Sequence, residues 1–312
     1  MTMNNIIDVI RHNNSFMITS HMSPDGDAIG SSIALGLALK KINKRVTYVM
    51  DTPIQFKFSY MNEITCFNNL PQSDKFDVGI FLDCSDVTHL YNALTLDWCK
   101  ITVNLDHHIS NTGYGDLILI DSNASAAGEM IYELIHRLNI PLDADIAIAL
   151  YTSIVTDTGN FKYSNVTAKT HKIISHLYEY PNQYWVINKR IFDEHSYGKI
   201  KLLGKALNNL YLSKGGKVAV VYLSMFDYSD ADTDDEGIIN YARDIQGVEV
   251  AMMLKEIGNK TYKISFRSNT DFDVSKLAAF YNGGGHQKAA GCTIKGCTRD
   301  EIIHDIMDKI HI

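Results

Sequence analysis

Eight aspartate and histidine residues, spread over four segments of the chain, have side chains that can bind metal ions. The segments read "SHMSPDGD", "FLDC", "NLDHH" and "YTSIVTDTGNF". In chain order they supply His21, Asp25, Asp27, Asp83, Asp106, His107, His108 and Asp157. Each segment follows or ends an apolar run, so side-by-side packing of the runs would gather these polar side chains at one edge of the fold.

The chemistry of such a set depends on metal ions. Carboxylates a few ångströms apart raise each other's pKa and resist joint ionisation. Divalent cations remove this conflict, and a mixture of imidazole and carboxylate favours Mn²⁺, with Mg²⁺ or Co²⁺ as alternatives, over structural zinc or a calcium cage. Two cations about 3.5–4 Å apart that share a carboxylate can activate a hydroxide against a phosphate ester. The set therefore predicts a phosphoesterase site with two divalent metal ions.

Short β-branched runs in the first half of the chain predict the strands that position these residues. The predicted strands cover 15–21, 45–50, 76–83, 101–106 and 116–121, and helical patterns cover 28–42, 125–138 and 144–157. Continuous apolar strands that alternate with helices predict an α/β fold with a mainly parallel sheet flanked by helices. Ligands of such sheets bind beyond the carboxyl ends of the strands, where three of the four segments lie.

The second half of the chain predicts a separate, smaller α/β domain. A charged helical pattern over 188–213 indicates a connector, and a second set of elements opens at 217–224. Strands are expected over 248–257 and 262–269, which form a hairpin. The glycine-rich stretch "NGGGHQKAAGC" then precedes a terminal helix over 298–310. The predicted division is a first domain over 1–185, a helical connector over 186–214 and a second domain over 215–312, and the family resemblance given below implies catalysis by the first and substrate binding by the second.

Composition excludes several classes of protein. The formal net charge of −7 is wrong for a broad basic surface that binds long duplex nucleic acid. No apolar run approaches the ~18 residues needed to span a bilayer, and the N-terminus does not read as a secretory signal. Five scattered cysteines favour reduced thiols over disulfides. We therefore expect a cytoplasmic protein with no membrane partner. A small anionic substrate stays open if metal ions supply positive charge locally.

The ordered set of motifs resembles the DHH phosphoesterase superfamily. It comprises H-x-x-x-D-x-D, a strand-end aspartate, D-H-H and a further aspartate. The stretch "GGGHQKAAG" over 283–291 is similar to the glycine-rich signature of the DHHA1 domain. The segments "YTSIVTDTGNFKYSNVT", "DEGIINYARDIQGVEVAMMLKE" and "ISFRSN" most resemble the nano-RNase (oligoribonuclease) and pAp-phosphatase group, whose staphylococcal-type members include pApA phosphodiesterases. The resemblance covers nearly the whole chain.

The resemblance implies which residues hold the metal ions. One ion would be held by His21 and Asp25, and the other by Asp27 and His107. Asp83 would bridge the two ions and so belong to the catalytic residues as well.

The resemblance also implies roles around the metal ions and in the second domain. Asp157 would complete the metal cluster, His108 would face the scissile phosphate, and Asp106 would orient its two histidine neighbours from behind. Substrate phosphate would be bound by residues of the second domain, namely Arg267, Gly284, Gly285, His286 and Lys288.

The adjacent histidines raise a separate geometric expectation. If the strand over 101–106 stays extended through its end, successive side chains point to opposite sides of the sheet. His107 and His108 would then not bind one metal ion together, and they would do different work.

The implied function is metal-dependent hydrolysis of short nucleotides, meaning nano-RNA, pApA to AMP, or pAp to AMP and phosphate. The resemblance is also consistent with a homodimer. Cyclic-dinucleotide phosphodiesterase and metal-dependent inorganic pyrophosphatase are alternatives, although the latter has a basic signature in its second domain instead of "GGGHQKAAG". A longer single-strand exonuclease would need further domains and a basic channel. From a different class, the chain could be a catalytically inactive nucleotide-binding regulator.

Overall fold

A computed structural model describes residues 2–51, 54–63, 67–68, 75–91, 94–228 and 234–312. The chain forms two compact units, Met1–Glu194 and His195–Ile312. Within the described residues, no helix combines the length and apolar composition that crossing a bilayer requires. Four cysteines are free thiols, as predicted, namely Cys84, Cys99, Cys292 and Cys297. Cys66 lies outside the described residues.

The first unit is built on a parallel sheet of six strands among the described residues. The strands are β1 (Ser15–Thr19), β2 (Arg45–Val49), β3 (Phe67–Asn68), β4 (Phe76–Leu82), β5 (Cys99–Asp106) and β6 (Leu117–Ile120). Their order is β3-β2-β1-β4-β5-β6. The direction of winding reverses between β1 and β4, and a ligand crevice forms outside the carboxyl ends of strands at such a reversal.

Helices of the first unit cover the sheet and carry part of the site. They are α1 (Met3–His12), α2 (Gly26–Lys41), α3 (Ala127–Arg137), α4 (Ala144–Asp157), α5 (Ala168–Leu177) and α6 (Tyr184–Asn188). Asp25 caps the start of α2 and Asp143 caps the start of α4, which fixes where each helix begins. A Cβ on Gly30 would lie 2.5 Å from the Ala149 carbonyl oxygen. Glycine therefore allows α2 and α4 to pack closely, and this contact holds the start of one helix near the end of the other.

The α/β fold with a parallel sheet is confirmed, and each of the five predicted strands is present with ends shifted by at most two residues. The prediction of one continuous helix over 188–213 is wrong. A π-helical turn over Lys189–Asp193 follows α6, and α7 (Tyr197–Asn208) starts anew. Ser196 accepts a hydrogen bond from the Lys199 amide at 3.1 Å and so caps a new helix. The predicted domain boundaries at 185 and 215 stay predictions.

The second unit is a mixed sheet with helices on both faces. Its strands are β7 (Tyr211–Ser213), β8 (Val218–Leu223), β9 (Val250–Gly258), β10 (Thr261–Ser268), β11 (Gly284–His286) and β12 (Ala289–Lys295), in the order β11-β12-β10-β9-β8-β7. Its other helices are α8 (Ile238–Arg243), α9 (Val274–Ala279) and α10 (Arg299–Lys309). The predicted hairpin of β9 and β10 is confirmed. The glycine-rich stretch forms a second hairpin, β11–β12, where no strands were predicted.

Candidate metal centre

The four predicted segments converge at the carboxyl edge of the parallel sheet. His21 lies two residues beyond β1, Asp83 directly follows β4, and His107 directly follows β5. Three groups of side chains offer ligand atoms within 4.8 Å of one another, and these groups are His21–Asp25–Asp83, Asp27–His107–Asp157 and Asp83–Asp106–His107–His108. The structure thus brings together all eight residues that the sequence singled out in this unit.

Asp83 lies between His21 and His107. Its Oδ2 is 3.8 Å from His21 Nε2, whereas its Oδ1 is 3.5 Å from His107 Nε2. His107 Nε2 is also 3.6 Å from Asp27 Oδ2 and 3.6 Å from Asp157 Oδ2. The two oxygens of one carboxylate therefore face different sets of ligand atoms, which is the arrangement that a bridging ligand needs.

Two orphaned atoms show that this donor set fits divalent cations. Asp83 Oδ1 and His107 Nε2 are buried and have no hydrogen-bond partner. Buried polar atoms almost always have a partner, and the exceptions need an explanation. Both atoms belong to groups of imidazole nitrogen and carboxylate oxygen, the ligand types that first-row divalent ions accept. A cation between them would satisfy both atoms.

Helix ends fix the two aspartates of the first segment. Asp25 Oδ1 accepts hydrogen bonds from the amides of Asp27 at 3.0 Å and Ala28 at 3.1 Å. Asp27 accepts from the amides of Ala127 at 2.7 Å and Gly128 at 3.2 Å, at the start of α3. The residue before that helix is Ala126, which has no capping side chain. Asp27 therefore caps α3 from a distant part of the chain, and the positive end of the helix stabilises its carboxylate.

The backbone of Asp83 is strained. Its φ is 50°, in the left-handed region that aspartate and asparagine adopt more readily than most residues. Its amide donates to the Leu105 carbonyl at 3.1 Å, which ties the turn after β4 to β5. Strain of this kind persists where surrounding contacts hold it, and it is concentrated at functional sites.

The two adjacent histidines do not point to opposite sides of the sheet, so that geometric expectation is wrong. β5 ends at Asp106, whose Oδ1 accepts hydrogen bonds from the amides of both His107 and His108, at 2.8 and 3.2 Å. This local turn ends the extended strand, and the two rings lie with centroids 4.6 Å apart. Different hydrogen-bond partners still distinguish the histidines.

Each ring is held through its Nδ1. Backbone carbonyls lie next to this atom in His21 (Met22 O, 2.8 Å) and in His107 (Ala124 O, 3.2 Å). Donation from Nδ1 leaves Nε2 free to bind a cation. In His108 the Nδ1 partner is a carboxylate, Asp106 Oδ1 at 2.7 Å.

Burial and mutual repulsion perturb the carboxylates. Burial raises the pKa of Asp27 and, together with the neighbouring Asp27 and Asp25 carboxylates, holds the pKa of Asp83 well above its usual range. Burial, reinforced by Asp27, raises the pKa of Asp157 to about 7. Burial opposes the charged form of His107, but Asp27 and Asp157 outweigh it and raise its pKa. The cluster thus contains more carboxyl groups than can easily ionise together, and a divalent cation would relieve this repulsion.

Asp106 behaves differently from the other carboxylates. Burial would raise its pKa, but hydrogen bonds from His108 and Asn111 outweigh burial and lower it. The hydrogen bond to Asp106 in turn raises the pKa of His108. Asp106 is therefore an ionised partner for the histidine.

Without metal, the protein is expected to lose stability as the pH rises from about 5.5 to 8. Because the pKa of Asp157 is about 7 and those of Asp27, Asp83, His107 and His108 are also raised, the folded chain binds more protons than the unfolded chain. This stabilisation is fully present below the unfolded-state pKa of an aspartate, about 4, and is lost as the pH rises through about 7. The unfolding midpoint should therefore fall by several degrees.

Calorimetry of chelator-treated protein at both pH values measures this effect. Added Mn²⁺ should raise the midpoint more at pH 8 than at pH 5.5, since protons compete with the cation. A metal-free midpoint that stays constant or rises with pH would contradict the clustering of buried acids.

In the second unit, Arg267 and His286 lie in one row of the sheet. Arg267 on β10 pairs with Ala289 on β12, and Ala289 pairs with His286 on β11. Directly paired residues of antiparallel strands share a face. The two predicted phosphate-binding side chains therefore lie on the same face, with the small alanine between them.

The glycines of the β11–β12 hairpin have different surroundings. Gly285 has a φ of 142°, and a Cβ there would lie 2.5 Å from the Ala289 carbonyl oxygen, whereas a Cβ on Gly284 would meet nothing within 4 Å. Packing thus requires glycine at 285, whereas a side chain at 284 would have open space around it. Lys288 donates to the Thr270 carbonyl oxygen, so its Nζ is engaged by the loop after β10. The roles of these residues stay predictions.

Sequence reasoning missed two polar residues that support the site. Ser153 Oγ donates to Asp27 Oδ1 at 2.5 Å, and Asn111 Nδ2 donates to Asp106 Oδ2 at 2.6 Å. The spacing of Ser153 and Asp157 by four residues places both on one face of α4, which is a signal the sequence contained. Asn111 ends the segment "NLDHHISN", but nothing in the local pattern indicates its contact.

Comparison with known proteins agrees with the predicted fold and family. Residues 15–154 match the DHH family, N-terminal domain, and residues 215–311 match the DHHA1 domain. The chain is 30% identical over 295 residues to the bifunctional oligoribonuclease and PAP phosphatase NrnA of Thermus thermophilus, covering 94% of this chain and 88% of that protein. It is 26% identical over 308 residues to the Bacillus subtilis protein of the same name, covering 96% of each.

A solved structure is similar over nearly the whole chain. The crystal structure of an exopolyphosphatase-related protein from Bacteroides fragilis matches with a TM-score of 0.88 and 25% identity, covering 98% of this chain and 95% of that chain. With both domains present in order and 30% identity to a relative over nearly the full length, this chain belongs to the DHH phosphoesterase family and is a hydrolase with a DHH domain followed by a DHHA1 domain.

Proposed function

We propose that this protein hydrolyses short nucleotides, with nano-RNA, pApA and pAp as its substrate class, using two divalent metal ions, with Mn²⁺ preferred. The observation that carries the proposal is the pair of orphaned buried atoms, Asp83 Oδ1 and His107 Nε2, within a cluster of carboxylates. Relatives named as oligoribonucleases and PAP phosphatases support the substrate class.

The ligand groups divide into two metal sites. His21 and Asp25 would hold one ion, Asp27, His107 and Asp157 the other, and Asp83 would bridge both. When bound, the ions would activate water and neutralise the charge that develops at phosphorus.

The residues around the ions would orient the substrate. His108, held through Nδ1 by Asp106 at 2.7 Å, would direct its Nε2 to the scissile phosphate. The carboxylate of Asp106 keeps the ring in one tautomer and one orientation. A fixed donor at the reacting phosphate stabilises charge that grows in the transition state.

Residues of the DHHA1 domain would bind a phosphate of the substrate. Arg267 and His286 share a row and a face of the sheet, and the space beside the Cα of Gly284, where a side chain would stand, is open. A guanidinium, an imidazole and backbone amides suit a terminal phosphate. A binding site of this kind is finite, so it favours substrates of a few nucleotides.

An inactive nucleotide-binding regulator is the alternative from a different class. The complete ligand set, His21, Asp25, Asp27, Asp83, His107 and Asp157, disfavours it, because a chain without catalysis has no need of every ligand. Turnover of pApA or pAp that depends on added metal decides between the two functions.

A hydrolysis panel with Mn²⁺ across pAp, pApA, cyclic di-AMP and RNA of 2 to 30 nucleotides tests the proposed substrate class. We expect kcat/KM for 2- to 4-mers to exceed that for a 30-mer by roughly 100-fold, equivalent to about 2.7 kcal/mol of transition-state binding. Activity should vanish with chelator and return with Mn²⁺. Equal rates on 3-mers and 30-mers would contradict a site limited to short substrates.

A further inference from the structure

We propose that Asn111 is a positioning residue that holds His108 in its working orientation by acting through Asp106. This inference rests on the proposed hydrolysis of short nucleotides, in which His108 faces the substrate phosphate. Within the described part of the first unit, the side chain of Asn111 hydrogen-bonds to no predicted metal ligand.

The side-chain nitrogen and oxygen of Asn111 make hydrogen bonds to different parts of the structure. Its Nδ2 donates to Asp106 Oδ2 at 2.6 Å and lies 2.8 Å from Asn104 Oδ1. Its Oδ1 accepts from the Gly113 amide at 2.7 Å. The oxygen therefore shapes the local turn, whereas the amide nitrogen serves Asp106.

Both carboxylate oxygens of Asp106 accept hydrogen bonds. Its side chain is fully buried. Its Oδ1 accepts from the amides of His107 and His108 and faces His108 Nδ1 at 2.7 Å. Its Oδ2 faces Asn111. Because the two oxygens are held by different partners, the carboxylate plane is fixed, and so is the ring hydrogen-bonded to it.

Asn104 anchors this contact to the sheet. It is fully buried on β5, and its Nδ2 donates to the carbonyl oxygens of Phe81 at 3.3 Å and Cys84 at 3.2 Å. Its Oδ1 accepts a hydrogen bond from the side-chain Nδ2 of Asn111. A chain of hydrogen bonds thus runs from the sheet through Asn104, Asn111 and Asp106 to His108, and satisfied buried networks of this kind are rigid.

The matched variants Asn111→Asp and Asn111→Ala separate positioning from turn formation. Aspartate keeps an oxygen for the Gly113 amide but presents an acceptor to the Asp106 carboxylate, so the supporting hydrogen bond is lost. Alanine removes both contacts. We expect either change to lower kcat on pApA by roughly 10- to 100-fold, as for partners that orient active-site groups. KM and the Mn²⁺ concentration for half-maximal activity should stay within about threefold of wild type.

A double-mutant cycle with His108→Ala provides the deciding measurement. If Asn111 acts through His108, Asn111→Ala in the His108→Ala background should cost no more than about threefold in kcat, because residues that work as a unit are non-additive. A loss as large as in the wild-type background would overturn the proposal, since the asparagine would then act independently of the histidine.

Tyr114→Phe tests the competing route through Cys84. Tyr114 donates to the Cys84 carbonyl oxygen at 3.0 Å, and Asn111 Nδ2 lies 3.4 Å from the same oxygen. We expect Tyr114→Phe to change kcat by less than about threefold. If it reproduces the loss of Asn111→Ala, support of the Cys84 turn is the cause and the proposal is overturned. Wild-type protein that turns over none of the nucleotides refutes the proposed function itself, whereas an active wild type with an additive cycle refutes the role of Asn111 alone.

Discussion

Replacement of Asp83 by asparagine is expected to lower kcat/KM for short nucleotides by at least about a thousandfold, a loss of roughly 4 kcal/mol of transition-state stabilisation. The two oxygens of Asp83 face His21 on one side and His107 on the other. An amide in this position is neutral and offers one good ligand atom instead of two. The protein should therefore bind fewer Mn²⁺ ions, and the remaining ion should lack its partner.

The backbone explains why asparagine is the informative substitution. At a φ of 50°, asparagine is tolerated, whereas alanine would add backbone strain to the loss of the ligand. Metal content by mass spectrometry and kcat/KM at saturating Mn²⁺ measure the effect, and circular dichroism checks the fold.

Asp77→Asn is the matched control. Asp77 lies on the same strand, β4, at the end away from the site, where it binds Lys100 and Ser15. This control should lose some stability but keep activity within about threefold of wild type. A purified Asp83→Asn protein with near wild-type activity would refute the bridging role.

The second large effect is that substitutions of the two adjacent histidines should differ in their effect on Mn²⁺ binding. His107→Ala should reduce both Mn²⁺ binding and turnover, because His107 Nε2 is the orphaned atom among three carboxylates. His108→Ala should retain Mn²⁺ binding and lose turnover by roughly 100- to 10,000-fold, the range of a residue that acts on the reacting group.

Electron paramagnetic resonance titration of Mn²⁺ and steady-state kinetics at saturating metal distinguish the two variants. High Mn²⁺ should partly rescue His107→Ala and leave His108→Ala unchanged. Equal loss of metal binding in both variants would mean that the rings share one ion, which their spacing of 4.6 Å between centroids allows.

The candidate ligands could be predicted because their side-chain types and their places at strand ends are local properties. β1, β4 and β5 are short apolar strands, so their ends show where His21, Asp83 and His107 gather. The supporting contacts depend on distant parts of the chain. Asp27 reaches the amides of Ala127 and Gly128, about a hundred residues away, and no local pattern contains that information.

Two errors in the predicted elements have local physical causes. The strand before the histidines ends at Asp106 because its carboxylate accepts the next two amides, so alternation of side chains stops there. The glycine-rich stretch gives no strand signal in the sequence, since glycine has low strand propensity. Close packing overrides this propensity, since a Cβ at Gly283 would lie 2.2 Å from the Gly291 carbonyl oxygen.

The capping of α3 by Asp27 bears on the choice of alleles for genetic experiments. An Asp27 substitution would remove a proposed metal ligand and also uncap α3, a change that costs about 0.5–2 kcal/mol at an ordinary cap. Losses of this size reduce protein abundance in cells. A null phenotype from an Asp27 allele would therefore confound missing protein with missing chemistry, whereas an Asp83→Asn allele would report on the chemistry alone.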